Sequence, residues 1–362
     1  MAFAFAACLP AHGEAAEDAA AEWLGLPALP YPAASESLRE LGRRLFFERR
    51  LSFNNAMSCA ICHVPEEGFG THTSRTAVGL EGHLLPRNAP TLLNIAWRPR
   101  LFHDGRESSL ADQAWLPLLN PLEMGNPSIS HVLEMLGADP EYQKAFQAIF
   151  GSKQPTMSQV GEALQAFERS LVAAGSRFDL WKYRGQASAL TPVERTGFDL
   201  FQGKALCSSC HVVGKDDAVF TDDRYHVTGA FLREASPAAA GSSSDEMATS
   251  PVEIELAAFV QAVRSDLGRY EITMDPADRY AFRTASLRNV ELTAPYMHDG
   301  SLLTLEAVVE YYDRGGDAVP NKSPLIRPLH LTAEERAALV AFLKTLSSPA
   351  AAALPTRLRA IP

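Results

Sequence analysis

Cys59-Ala60-Ile61-Cys62-His63 and Cys207-Ser208-Ser209-Cys210-His211 are two copies of one pattern, C-x-x-C-H. Two thiols three positions apart reach the two vinyl groups of one porphyrin, and the histidine that follows is placed to ligate the iron from one face. Two copies in 362 residues imply two covalently bound haem c groups and redox chemistry. Other uses of such cysteines fit poorly. A zinc ribbon sets its two C-x-x-C pairs about 15–20 residues apart, whereas nearly half the chain separates these. A thioredoxin-like motif needs one copy and a βαβ setting. Cys59, Cys62, Cys207 and Cys210 are therefore read as haem attachment points, and His63 and His211 as iron ligands.

The surroundings of each motif repeat as well. Gly42-Arg43-Arg44-Leu45-Phe46 precedes the first and Gly197-Phe198-Asp199-Leu200-Phe201 the second. Behind the motifs, Pro90-Thr91-Leu92-Leu93-Asn94 is answered by Ala285-Ser286-Leu287-Arg288-Asn289. Nine residues after each asparagine comes His-Asp-Gly, beginning at His103 and His298; seven residues after each histidine comes Leu110 or Leu305. Ser109 and Thr304 precede those leucines as natural helix N-caps. Thr191-Pro192-Val193-Glu194 and Thr332-Ala333-Glu334-Glu335 open further helices, and residues 160–171 carry an amphipathic pattern. Alternating strand patterns of any length are missing. The reading is a mostly α chain of two tandem haem-binding domains related by internal duplication, over residues 20–180 and 181–350. Residues 235–251, rich in Ala, Ser, Gly and Pro, read as a loop.

A hydrophobic share of 46% suits two well-filled cores. No apolar run approaches the roughly 20 residues of a transmembrane helix. The net charge of −10 argues against nucleic acid and suits steering of a basic partner. With four cysteines on haem, Cys8 has no disulfide partner. It lies in Phe5-Ala6-Ala7-Cys8, which loosely resembles a lipoprotein cleavage site, but few residues precede it and none is basic. A clipped or incomplete signal peptide is the expectation. Covalent haem attachment occurs outside the bacterial cytoplasmic membrane, so the expected location is the periplasm.

The two copies differ where it matters. Fourteen residues after each His-Asp-Gly histidine stand Pro117 and Tyr312. A proline side chain cannot ligate iron, so the first haem is expected five-coordinate and open to hydrogen peroxide. A tyrosine can, so the second is expected closed and dedicated to electron transfer. Gln113 lies one helical turn before Pro117, and Glu123 follows beyond the helix end at Asn120-Pro121. An amide and a carboxyl over one iron could move a proton between the oxygens of peroxide. Spacing alone leaves open that Tyr311 or Tyr312 packs in a core and that Gln113 and Glu123 are solvated.

These residues, with Arg87-Asn88-Ala89-Pro90-Thr91-Leu92 and Leu292-Thr293-Ala294-Pro295-Tyr296-Met297-His298-Asp299-Gly300, resemble the bacterial dihaem cytochrome c peroxidase and MauG superfamily over nearly the whole chain. The resemblance implies two cytochrome c-like domains, with Gln113 and Glu123 handling peroxide and His63 and His211 as proximal ligands. It also implies a calcium ion between the haems, held by Asn88, Thr293 and the carbonyl of Pro295; hard oxygen donors fit calcium. Peroxidases of the superfamily carry Met at position 312, whereas MauG-like members carry Tyr; Pro117 is MauG-like too. The implied activity is peroxide-dependent formation of a high-valent state across both haems. That state would oxidise an aromatic residue, a tryptophan above all, of a periplasmic protein by long-range electron transfer. The alternative is reduction of peroxide to water with electrons from a small cytochrome or cupredoxin.

Three departures qualify the resemblance. His103 stands where the family often has a relay tryptophan, so it joins the candidate catalytic residues, with coupling by hydrogen bonds or through nearby Trp97 or Trp115. Ala205 stands where MauG has a surface tryptophan near its second motif. Peroxidases also have a loop histidine that ligates the first iron at rest. His83 falls in that region at a different spacing, and together with His72 it reads as a solvated loop residue.

Overall fold

Helix caps written into the chain set its frame. The computed structural model describes residues 23–230 and 266–359, so Cys8 and the segment 235–251 lie outside the described residues. In the first half run α1 (Glu36–Phe47), α2 (Leu110–Gln113), α3 (Trp115–Leu119), α4 (Ile129–Ala138), α5 (Pro140–Phe150) and α6 (Met157–Arg169). In the second run α7 (Arg177–Arg184), α8 (Pro192–Gln202), α9 (Leu305–Asp313), α10 (Ala333–Lys344) and α11 (Pro349–Arg359). Thr191 and Thr332 each close a capping box, with Glu194 and Glu335. Ser109 and Thr304 accept the amides of Asp112 and Ala307 at 3.2 and 3.1 Å. Among the described residues, the one sheet is the pair Tyr225–His226 and Phe282–Arg283, antiparallel. The chain is mostly α.

Two hydrophobic clusters form the core, one around Phe46, Trp115, Phe146 and Phe167, the other around Phe178, Phe198, Phe220 and Phe342. The same helix crossing organises both. A Cβ on Gly42 of α1 would lie 1.8 Å from the Ala163 carbonyl oxygen of α6 and 2.9 Å from Phe167 Cβ. On Gly197 of α8 it would lie 2.0 Å from the Ala338 carbonyl oxygen of α10 and 2.7 Å from Phe342 Cβ. Backbone meets backbone in both places, and only glycine leaves the room. One turn later Phe46 and Phe201 turn into the same interfaces, at 0% and 1% exposure. This is the physical content of the repeated G-x-x-L-F.

The halves are stitched together. Asn94 and Asn289 both sit in the left-handed region, at φ 59° and 60°, which asparagine tolerates. Their amides donate to Leu171 and Leu346 carbonyls at 2.8 and 3.0 Å, just past α6 and α10. Their side-chain oxygens accept the amides of Ala173 and Ser348 at 2.8 and 2.9 Å. From residue 88 to 117 each position has a counterpart 195 places later. The halves exchange one bond reciprocally: Asn88 N–H to His298 O at 2.7 Å, and Arg283 N–H to His103 O at 2.8 Å. Finally α11 returns to the first half, where Ala351 and Leu354 are buried in its cluster. Among the described residues no single helix is long and apolar enough to cross a membrane.

Candidate haem and peroxide site

Both C-x-x-C-H motifs open onto one cavity of about 1740 Å³, whose walls include Cys62, His63, Cys207, Cys210 and His211. Single-ligand pockets run to about 300–1,000 Å³, so this space suits two large groups. His63 Nδ1 lies 3.1 Å from the Phe69 carbonyl oxygen and His211 Nδ1 lies 3.0 Å from that of Phe220. Phe69 and Phe220 have φ of 58° and 55°, one backbone turn used twice to aim a carbonyl at a ring. With Nδ1–H donated there, Nε2 is left as the free donor atom. Burial lowers both histidine pKa values and so favours the neutral, metal-binding imidazole. Burial also pushes the thiols of Cys59 and Cys207 up to about 12 and that of Cys62 up to about 11. Thiols held uncharged suit thioether links rather than thiolate–metal bonds. The residues present fit two haem c groups.

The two copies then diverge. Gln113, Pro117, Asn120 and Glu123 all line the cavity. α2 and α3 meet at Ala114, and Asn120 caps the C-terminus of α3. The Asn120 side-chain amide donates to Glu123 Oε1 at 2.7 Å and holds the carboxyl in place. Burial raises the pKa of Glu123, opposed by the Asn120 hydrogen bond and by Arg106. The counterparts of Gln113 and Pro117 in the second half are Val308 and Tyr312. Tyr312 lines the cavity, and burial first, then Tyr311 and the two cysteines, raise the pKa of its phenol. Its neighbour Tyr311 takes the core position, 2% exposed, with its hydroxyl donating to the Thr228 carbonyl at 2.9 Å.

His103 also lines the cavity, with Nε2 2.9 Å from the Asn88 carbonyl oxygen. Burial, with smaller contributions from His298 and Arg87, pushes its pKa down to about 4, so it stays neutral. Trp97 and Trp115 do not share this wall: their indole N–H groups donate to Pro27 and Met157 carbonyls at 3.1 and 3.2 Å, inside hydrophobic clusters. Ala205 is not a surface position; it is buried at 6% exposure. His83 is exposed, and His72 Nε2 lies 2.6 Å from the Leu292 carbonyl oxygen.

Asn88, Thr293 and Pro295 line the cavity together. The Asn88 side-chain amide donates to the Pro295 carbonyl at 2.7 Å, and its Oδ1 is buried with no partner. Turning that amide over would place two oxygens side by side, an arrangement a cation between them stabilises. The set fits a hard cation. Sequence reasoning missed Asn120, Arg106, Arg98 and Arg283. Asn120 was legible only as a helix stop; Arg106 pairs locally with Asp104, but Arg98 and Arg283 carried no local signal because their partner, Asp223, lies far away in the chain.

A family model for di-haem cytochrome c peroxidases matches residues 36–188. The methylamine utilization protein MauG of Methylorubrum extorquens is 39% identical over 90% of this chain and 84% of its own. The cytochrome c551 peroxidase of Nitrosomonas europaea is 35% identical over 86% of this chain and 80% of its own. A solved MauG-like protein associated with microbial copper homeostasis superposes with a TM-score of 0.73 at 33% identity, covering 91% of this chain and 97% of that one. With two haem c sites in one cavity, the chain belongs to the dihaem cytochrome c peroxidase family that includes MauG, and is a haem-dependent oxidoreductase.

Proposed function

We propose that this protein is a periplasmic, MauG-like enzyme that uses hydrogen peroxide to oxidise an aromatic side chain, a tryptophan above all, on a protein partner. The observation that carries the reading is the exchange of Pro117 for Tyr312 at equivalent positions of one cavity. Bound haem supplies one iron that takes up the two oxidising equivalents of peroxide and a second that shares them. Pro117 would offer no donor atom to a haem held by His63. Glu123, fixed by Asn120, would take a proton from peroxide and return it to the leaving oxygen, and the Gln113 amide would hydrogen-bond the peroxide beside it. Tyr312 would supply a phenolate to the haem held by His211, a ligand that favours ferric and higher states. Asn88, Thr293 and Pro295 would hold a calcium ion between the haems. The halves act as two cytochrome c-like domains, residues 20–180 and 181–350, with His103 in the wall between them. The solved neighbour's association with copper homeostasis favours a copper-binding partner.

A second reading is favoured by relatives named as cytochrome c peroxidases: peroxide reduced to water by electrons from a small cytochrome or cupredoxin. One equivalent of peroxide added to the diferric protein distinguishes the two. The first reading expects a near-infrared band shared by both haems that lasts for minutes and is lost in Tyr312→Met. Fast steady turnover with reduced cytochrome c, and no such band, would overturn it.

A further inference from the structure

The 195-residue relation that pairs Pro117 with Tyr312 also pairs Asn88 with Arg283 and Thr293 with Arg98. Asn88 and Arg283 make the same reciprocal backbone bond across the halves, at 2.7 and 2.8 Å. Where one side of the interface sets two oxygen-bearing side chains suited to a cation, the equivalent side sets two guanidinium groups. One side binds positive charge; the other brings its own.

That charge is not balanced by protein. Arg98 and Arg283 side chains are 4% and 9% exposed and share a single carboxylate, Asp223 Oδ1, at 3.2 and 3.4 Å. Arg288, nearby, is already held by Asp179 at 2.9 and 3.0 Å. Arg98 Nη2 is buried with no partner at all, and both Arg98 and Arg283 line the cavity. Burial, then Arg283, push the pKa of Arg98 down to about 10. A buried cation without a counterion is costly unless an anion joins it.

We propose that Arg98 and Arg283 form a carboxylate site that takes a propionate of the haem carried by His211. The side follows from the loop they grip. Asp223 stands three residues after Phe220, whose carbonyl meets His211 Nδ1. The Thr221 hydroxyl donates at 2.7 Å to the carbonyl of Thr284, the residue after Arg283. A planar fork facing a carboxylate is the geometry in which arginine binds most tightly. The pair would keep that propionate ionised and add positive potential beside one haem, favouring its reduced state. The inference rests on the two-haem reading of the cavity.

Potentiometric titration of the holoprotein, followed separately at the bands of each haem, tests it in wild type, Arg98→Gln, Arg283→Gln and Arg98→Lys. The expected result is a downward shift of the His211 haem in either Gln variant of at least tenfold in its reduction equilibrium, about 59 mV for one electron. The His63 haem should move much less, and Arg98→Lys should restore most of the shift. Resonance Raman of the Lys variant, which keeps the charge and so the fold, should show altered propionate bending modes of the His211 haem alone. Equal shifts at both haems, or none, would overturn the site. Fewer than two haems per chain in the wild type would overturn the two-haem reading instead.

Discussion

The half built around His63 and the half built around His211 share a helix crossing, an asparagine clasp and a backbone turn that orients the proximal histidine, down to tenths of an ångström. What they do not share is concentrated on the cavity wall. The first sets Gln113 and Pro117 where the second sets Val308 and Tyr312; the second sets Arg283 where the first sets Asn88. Backbone geometry is thus kept, while side chains that face the cavity differ. A scaffold held by glycine contacts and buried phenylalanines does not depend on which donors face its interior, so those donors are free to differ.

The comparison can be broken most severely at Pro117. Pro117→His should offer the first haem a sixth ligand, the role proposed for Tyr312 at the second, and abolish the reaction with peroxide in stopped-flow. A fully reactive variant would show that openness does not depend on this position. Glu123→Gln removes the carboxyl proposed to carry the proton. It should slow the peroxide reaction by about 10²–10⁴-fold. In the wild type the raised pKa of Glu123 places the acid limb of the rate profile above the range of an ordinary glutamate, and the rate falls as pH drops through it. The variant should lose that limb.

A smaller asymmetry lies in the core. Glu168 of α6 is 5% exposed, its Oε2 has no partner, and burial pushes its pKa up to about 8. The spacing that takes Ala163 and Phe167 to Ala338 and Phe342 takes Glu168 to Leu343. The folded pKa is raised, so ionisation weakens the fold as pH climbs from the ordinary glutamate value through about 8. Glu168→Leu should therefore stabilise the first half by about 3 kcal/mol at pH 7, and the ionisation part of that gain should vanish near pH 4. Thermal melts across pH check this. Smallest and most symmetric is the helix crossing. Gly42→Ala and Gly197→Ala each press a methyl into a carbonyl and should each cost about 1–3 kcal/mol in urea denaturation. A large inequality between them would mean the two crossings are not equivalent.

The caps at Ser109, Thr191, Thr304 and Thr332 were legible because a cap needs only residues within one turn. So was the choice between Pro117 and Tyr312, since it hangs on a fixed count from a repeated histidine. The positions of Trp97 and Trp115 were not legible: sequence proximity to the motifs said nothing about whether the indoles would face the cavity, and both point into hydrophobic clusters instead. Ala205, three residues beyond α8, is buried in the second cluster, which the residue by itself did not indicate.

By itself the chain determined its cofactor, its helices, its internal echo and the point where the echo breaks, because all of these are local patterns or fixed counts along one polypeptide. Only the tertiary structure decided that both haem motifs open onto one cavity, that α11 returns to the first core, and that Arg98 and Arg283 converge on Asp223 at the cavity wall. Those are contacts between residues up to hundreds of positions apart, set by packing and by where a buried charge finds a partner, and no window of sequence contains them.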